Sequence, residues 1–321
     1  MSPAKQSPIE KIADWSCSST GFYSDDPFYR ANVPEQLLRS ELFPLIANRA
    51  LFRQFCVKNQ IAQPAFVSEQ QFDKVAAWAV KRNQFPLAIK SATNGSDSQH
   101  CYVLKAFREL PEFYESISSA CAGPVVLEEF INAKSRIEIT FVAGLPRIIS
   151  QFSLEKSMKM RPTWRVFPIR PPEALVDDLC AIARKFPGLA GIKEAPVRFS
   201  FVLHNARPML ISINTGLNRP EYHPDWSQAA GITNIFNPAG GVGGRTLCKL
   251  LIYYDISGFS ADELQAYAGS DLVKIASTEE QIMVLLRSTD AKNLLARAET
   301  IDTFFKHRKD STYEPPAPEG E

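Results

Sequence analysis

The sequence predicts an α+β protein with mainly antiparallel sheets and a helical C-terminal part. Helical periodicity follows Pro34, short β-rich runs bounded by turn residues fill the centre, and two capping-box spacings punctuate the end. The order of helices, mixed strands, one helix, a strand pair and further helices is that of an α+β chain rather than a strict βαβ alternation.

The elements follow in order. Residues 1–30 are polar, with Ser, Pro and Asp turn signals, and are expected to form a poorly ordered arm. After Pro34, Leu37, Leu38, Leu42, Leu45, Ile46, Leu51, Phe52 and Phe55 recur at helical spacing, with a break expected at Pro44. Ala65-Phe66-Val67 reads as a short strand. Ser68 reads as the cap of a helix carrying Phe72, Val75, Ala76, Trp78 and Ala79. Leu87–Lys90, Cys101–Leu104, Pro124–Ile131, Ile137–Val142 and Pro146–Phe152 read as strands, with a helix around Glu112–Cys121. A basic loop, Lys156 to Arg161, precedes an amphipathic helix over Glu173–Phe186. Val197–His204 and Pro208–Asn214 read as strands around the polar hairpin Asn205-Ala206-Arg207. Everything beyond is expected to be helical, including the apolar run Leu247–Tyr254. Ser260 with Glu263 and Ser277 with Glu280 have the spacing at which hydroxyl and carboxylate satisfy free amides at a helix start. Residues 309–321, rich in Pro and Glu, are expected to be a disordered tail.

Composition narrows the function. With 45% hydrophobic residues in 321, the chain can bury a sizeable core. Its 36 Lys and Arg nearly cancel 35 Asp and Glu, which leaves no electrostatic footprint for nucleic acid and no polybasic membrane patch. No apolar stretch of about 18 residues is present, and the first residues lack the apolar core of a signal peptide. Cys17, Cys56, Cys101, Cys121, Cys180 and Cys248 are scattered without a CxxC pair, as expected of reduced thiols in a cytoplasmic protein.

Three pieces carry chemistry. Phe85-Pro86-Leu87-Ala88-Ile89-Lys90 ends a buried strand on a lysine, and the small-residue loop Asn94–Gln99 follows. A strand end holds the ammonium still, and bare backbone amides in such a loop can wrap phosphate oxygens. Pro124–Ile131 runs an apolar strand into Glu128 and Glu129, where backbone groups can read a base edge and a carboxylate can accept from an amine or a ribose hydroxyl. In the hairpin, period-2 alternation places Arg198, Ser200, Ser212 and Asn214 on one face, with Phe199, Phe201, Ile211 and Ile213 opposite. Four polar groups on one sheet face suggest a wet working surface. An ordinary hairpin with an exposed lysine, solvated glutamates and a solvated sheet face are the competing readings of the same pieces.

In this order the pieces resemble the ATP-grasp superfamily, which includes D-alanine–D-alanine ligases, biotin carboxylases and many carboxylate–amine ligases. The resemblance covers roughly Ala47 to Pro224. It implies two α+β subdomains clasping a nucleotide, here residues 31–122 with leading helices and residues 123–308 with the C-terminal helices. It implies ATP as cofactor, with Lys90 on the phosphates and Gly95, Ser96 and Ser98 in the loop that closes over them. Glu128, Glu129 and Ile131 match the adenine hinge, and Lys156 and Lys159 lie where some members reach the γ-phosphate. Arg198-Phe199-Ser200 and Ser212-Ile213-Asn214 match the family's two metal-bearing strands, with Arg198 and Asn214 as catalytic residues and Ser200, Ser212 and Asn214 at the metal positions. Asn48-Arg49, and Glu221 to Pro224 after the second strand, echo further family features.

The departures matter as much. Ser200 and Ser212 stand where the family has metal carboxylates, and Mg2+ prefers charged oxygens, so metal binding is put in doubt. One reading keeps ligase chemistry with relocated carboxylates from Glu194, Glu221 or Asp225, joining a small-molecule acid to an amine. The other is a nucleotide-binding pseudoenzyme acting as a sensor, scaffold or partner subunit; a module that keeps the shape without ATP is a third class. The segment before Ala47 is too short for the substrate domain that many members carry there, so a partner protein is one source of the acceptor site; a homodimer is left open. The glycine run Ala239 to Gly244 reads as a lid or linker, and of the four histidines only His223 falls near the expected site.

Overall fold

The computed structural model describes residues 35–93, 101–121, 123–133, 135–154, 162–193, 195–215, 247–254, 264–265, 272–277 and 281–311. Three helices lead: α1 (Glu35–Leu38), α2 (Phe43–Ala47) and α3 (Arg49–Lys58). The single periodic stretch after Pro34 is thus divided. Pro44 sits in the first turn of α2, where its missing amide costs nothing. Asn48 is extended (φ −132°) and caps α3 by accepting from the Leu51 amide at 3.0 Å.

A four-stranded sheet follows, built from β1 (Phe66–Glu69), β2 (Leu87–Ser91), β3 (Cys101–Leu104) and β4 (Val125–Glu129), with α4 (Phe72–Arg82) and α5 (Leu110–Ala120) between strands. The order is β1-β4-β2-β3, and every pair is antiparallel. Leu87, Ile89, Leu104, Val125 and Leu127 pack against Val75, Ala79, Leu110 and Ile117 of the two helices. Ser68 does not cap α4. It belongs to β1, opposite Val126, and α4 begins after Gln71 with no side-chain cap.

The second sheet is larger. It contains β5 (Arg136–Val142), β6 (Leu145–Leu154), β7 (Pro162–Phe167), β8 (Val197–His204), β9 (Arg207–Thr215), β10 (Leu247–Tyr254), β11 (Leu272–Ser277) and β12 (Gln281–Ser288). The order is β11-β12-β10-β7-β6-β5-β8-β9, again antiparallel throughout. Two hairpins use two-residue turns with both central residues at positive φ: Ala143-Gly144 (52° and 72°) and Asn205-Ala206 (51° and 60°). That turn matches the right-handed twist of the strands it joins. At Gly144 a Cβ would come within 2.9 Å of the Ala190 Cα, so glycine answers both the φ and the close approach.

Helix α6 (Glu173–Ala183) lies between β7 and β8. One face of the sheet, through Ile137, Ile139, Phe141, Phe199, Phe201 and Ile213, packs against Phe52 and Cys56 of α3 and Leu179 and Ala183 of α6. Phe186, expected inside that helix, is buried just after its end and stacks edge-on against Phe199 at 5.1 Å. Fully burying each such aromatic is worth about 1.5–3 kcal/mol.

The helical reading of the C-terminal part is corrected. Leu247–Tyr254 is β10, paired on both sides with β7 and β12. A strand with neighbours on both edges and packing on both faces reads as a continuous apolar run, which periodicity cannot distinguish from a buried helix. Ser277 ends β11 rather than capping a helix. Glu280 and the Ser260–Glu263 segment lie outside the described residues. Helix α7 (Ala291–Ser311) packs Leu294, Ala298, Ile301 and Phe305 against Leu251, Ile282 and Val284 and continues into the segment read as a tail. Among the described residues no helix is long and apolar enough to cross a membrane.

Candidate functional site

Alternation leaves each sheet a second face. On the first sheet it carries Phe66, Ala88, Lys90, Val126 and Glu128, opposite the face that packs on α4 and α5. Lys90 pairs with Val126 and Glu128 with Ala88, so the two charged side chains are diagonal neighbours. Lys90 Nζ donates to Glu128 Oε1. Glu128 is 3% exposed, and its other oxygen, Oε2, accepts from Arg53 Nε at 3.0 Å and Nη2 at 2.7 Å.

Arg53 joins the two sheets. Projecting from α3, it donates through Nη1 to the Leu210 carbonyl (3.1 Å) and through Nη2 to the Ile211 carbonyl (2.8 Å), both on β9. A register shift after Ser200 leaves Ile211 as a bulge residue, and a bulge frees carbonyls from the ladder. Burial alone would raise the Glu128 pKa, but the charges and hydrogen bonds of Arg53 and Lys90 outweigh it and hold the carboxyl at about 2. Arg49 secures the end of β2: its amide donates to the Ala92 carbonyl (2.6 Å) and its Nη1 to those of Ser91 (2.7 Å) and Thr93 (3.2 Å).

The polar face of the second sheet is broader than the hairpin suggests. Arg198 lies opposite Asn214 on β9 and Thr140 on β5; Ser200 lies opposite Ser212 and Glu138. Register extends the face to Arg136 on β5, Ser150 on β6 and Arg165 on β7. Glu138 is the one carboxylate on this face among the described residues. Its Oε1 accepts from Arg165 Nη1 at 2.7 Å and its Oε2 from Ser200 Oγ at 3.2 Å. Arg165 also donates to Ser150 Oγ at 2.7 Å and stacks over Phe152, with 4.7 Å to the ring centroid. Asn214 Nδ2 donates to Ser212 Oγ at 3.2 Å.

Arg198 differs from its neighbours. It is 0% exposed, and Nε, Nη1 and Nη2 are all buried without a hydrogen-bond partner among the described residues. The wet surface expected here is corrected: Arg198 and Ser200 are fully buried, and Ser212 and Asn214 are half-buried. Arg136 belongs to the same surroundings as the first sheet, since Glu128 and Cys101 are close enough to oppose the lowering of its pKa by burial.

The other expected residues divide clearly. Glu129 accepts from Arg82 Nη2 at 3.3 Å, its amide donates to Ala65, and Ile131 is half-buried with its carbonyl taken by the Ala133 amide. Gly95, Ser96, Ser98, Lys156, Lys159, Glu194, Glu221, His223, Asp225 and the Gly240–Gly244 run lie outside the described residues. Arg53, Glu138 and Arg165 were not singled out from sequence. Polar alternation in Arg136-Ile137-Glu138-Ile139-Thr140 was the available signal for Glu138. Arg53 sits among the apolar residues of α3, where nothing local marks its partners.

No protein-family model and no curated protein matches the sequence. Solved structures do match. The chain is similar to carboxyaminoimidazole ribonucleotide synthase from Aspergillus clavatus complexed with ATP, at 14% identity and a TM-score of 0.62, covering 84% of this chain and 75% of that one. It is similar to L-amino acid ligase from Bacillus licheniformis (14% identity, TM-score 0.59, 84% and 72% covered). It is also similar to biotin carboxylase from Campylobacter jejuni, solved as an ATP-type complex (14% identity, TM-score 0.60, 85% and 74% covered). Identities this low speak for the fold, and with two antiparallel sheets joined through Arg53 of α3, this chain has the ATP-grasp fold.

Proposed function

We propose that this chain binds ATP between its two sheets and works as an ATP-dependent ligase joining a carboxylate to an amine. The observation that carries the reading is the pair of charged inner faces. Lys90 and Glu128, anchored by Arg53, stand on one, and Arg198 stands buried on the other with no hydrogen-bond partner among the described residues. In this reading Lys90 leaves Glu128 for the phosphates, and the loop of Gly95, Ser96 and Ser98 covers them with backbone amides. The γ-phosphoryl group passes to a carboxylate oxygen of the acid substrate, giving ADP and an acyl phosphate. The amine then attacks the acyl carbon, loses a proton and expels phosphate. Arg198 supplies fixed positive charge to the acyl phosphate and to the oxyanion that follows. The relatives named above fit this class of reaction by their names, and small-molecule acids and amines are its substrates.

Magnesium does not fit the residues at its family position. Ser200 and Ser212 are neutral, the Ser200 hydroxyl is turned to Glu138, and Arg198 sits on the same face. Among the described residues no three His, Cys, Asp or Glu side chains group as a metal site. That donor set favours a second reading: nucleotide binding without turnover, as a sensor or partner subunit. The two separate in one experiment. Purified protein is incubated with ATP and pools of carboxylic acids and primary amines, and ADP is measured. ADP formation that needs both an acid and an amine supports the ligase. Tight ATP binding with no ADP under any pool leaves the second reading alone.

A further inference from the structure

We propose that Arg198, with Arg136 and Arg165 on the same face, takes the place of a divalent cation in this chain, so that the cleft holds a polyphosphate without metal. The proposal rests on the nucleotide-binding reading above and adds the source of the neutralising charge. A guanidinium carries five N–H donors and no acceptor, so it calls for oxygen acceptors wherever it is buried. A buried charge without a partner is strongly unfavourable, and Arg198 is fully buried with all three nitrogens unpartnered among the described residues. Its cross-strand neighbours, Asn214 and Thr140, are neutral. The one carboxylate of the face among the described residues, Glu138, accepts on Oε1 from Arg165 and on Oε2 from Ser200, and Arg198 donates no hydrogen bond to it. An anionic ligand supplies the counter-charge that the described residues do not.

The ligand chemistry follows from the donors. Among the described residues around Arg198, three arginines stand against one glutamate, and Lys90, paired with Glu128, lies on the other sheet. A planar fork of N–H donors matches the paired oxygens of a phosphate. The same guanidinium repels Mg2+, and neutral Ser200, Ser212 and Asn214 cannot outweigh that repulsion. The substitution of serines for metal carboxylates and the orphaned arginine are then two sides of one change.

The test uses calorimetric titration of the full chain with ATP and with inorganic tripolyphosphate, each in EDTA and in Mg2+, for the unaltered protein, Arg198→Met and Arg198→Lys. Thermal melting without ligand accompanies each variant. The expected result is that both ligands bind in EDTA, and that Mg2+ changes affinity by less than about twofold. Arg198→Met should weaken binding by about tenfold to about hundredfold, with Arg198→Lys between. Arg198→Met should melt no lower than the unaltered protein, because it removes a buried charge with no hydrogen-bond partner among the described residues. Binding that Mg2+ strengthens by more than about tenfold overturns the proposal and leaves the nucleotide reading standing. Unchanged binding in Arg198→Met, or a variant that melts far lower, also overturns it. Tripolyphosphate binding in EDTA without ATP binding supports the anion site and removes the nucleotide. No binding of either ligand in either buffer overturns both.

Discussion

Two buried arginines divide this molecule. Arg53 donates to Glu128, Leu210 and Ile211 and so ties the first sheet to the second. Arg198 is buried as deeply and donates to nothing among the described residues. A satisfied buried network holds a structure in one arrangement, whereas an unsatisfied charge marks either strain or an absent ligand. Arg53 joins the sheets through its hydrogen bonds, and Arg198 is the residue through which the proposed ligand contact is tested.

The largest expected effect is on the satisfied side. Arg53→Met leaves Glu128 facing Lys90 alone and strips the Leu210 and Ile211 carbonyls of their donor. It should lower unfolding free energy in urea by about 3–5 kcal/mol. A loss below 1 kcal/mol, of the order of an exposed pair, would break the contrast between the two arginines.

Acid sharpens the same comparison. Glu128 is held at about 2 in the folded chain against an ordinary 4.5, so its pairing stabilises the fold above pH 4.5 and is lost as pH falls from there towards 2. The depression amounts to about 3 kcal/mol, and Glu128→Gln should remove that part of the pH dependence from urea titrations. An identical acid limb in the variant would assign the effect to other carboxylates.

The smallest expected effect belongs to Arg198. Arg198→Met should shift the melting temperature of the ligand-free protein little or upward, the reverse of Arg53→Met, although both remove one fully buried guanidinium. Two similar losses would mean that both arginines serve structure.

Much of this was legible in the sequence, for reasons that particular residues show. Cys101–Leu104 and Val197–His204 stand at their expected bounds, because turn residues bracket short β-branched and aromatic runs. The shared face of Arg198, Ser200, Ser212 and Asn214 follows from a period of two and a tight turn at Asn205-Ala206. β10 was not legible as a strand, since Leu247–Tyr254 is apolar without a period and its partners, Trp164 to Phe167 and Gln281 to Ser288, are distant in the chain. Ser277 with Glu280 had capping-box spacing, but the ladder with β12 claims Ser277 first. The charged network was the least legible part. Arg53 meets Glu128 across 75 positions and Arg165 meets Glu138 across 27, and no local pattern announces such a pairing. The burial of Arg198 was equally hidden, since alternation assigns a residue to a face but not what covers that face.

The most direct test of ATP binding between the sheets is calorimetric titration of the purified protein with ATP, repeated on Lys90→Ala. Lys90 is the one cation of the first sheet's inner face that a ligand can draw from Glu128 while Arg53 keeps the carboxylate paired. The expected result is saturable binding at one site that weakens by about tenfold or more in the variant, with the fold retained. Absence of binding in the unaltered protein, or equal binding in both, would contradict a nucleotide held between Lys90 and Arg198.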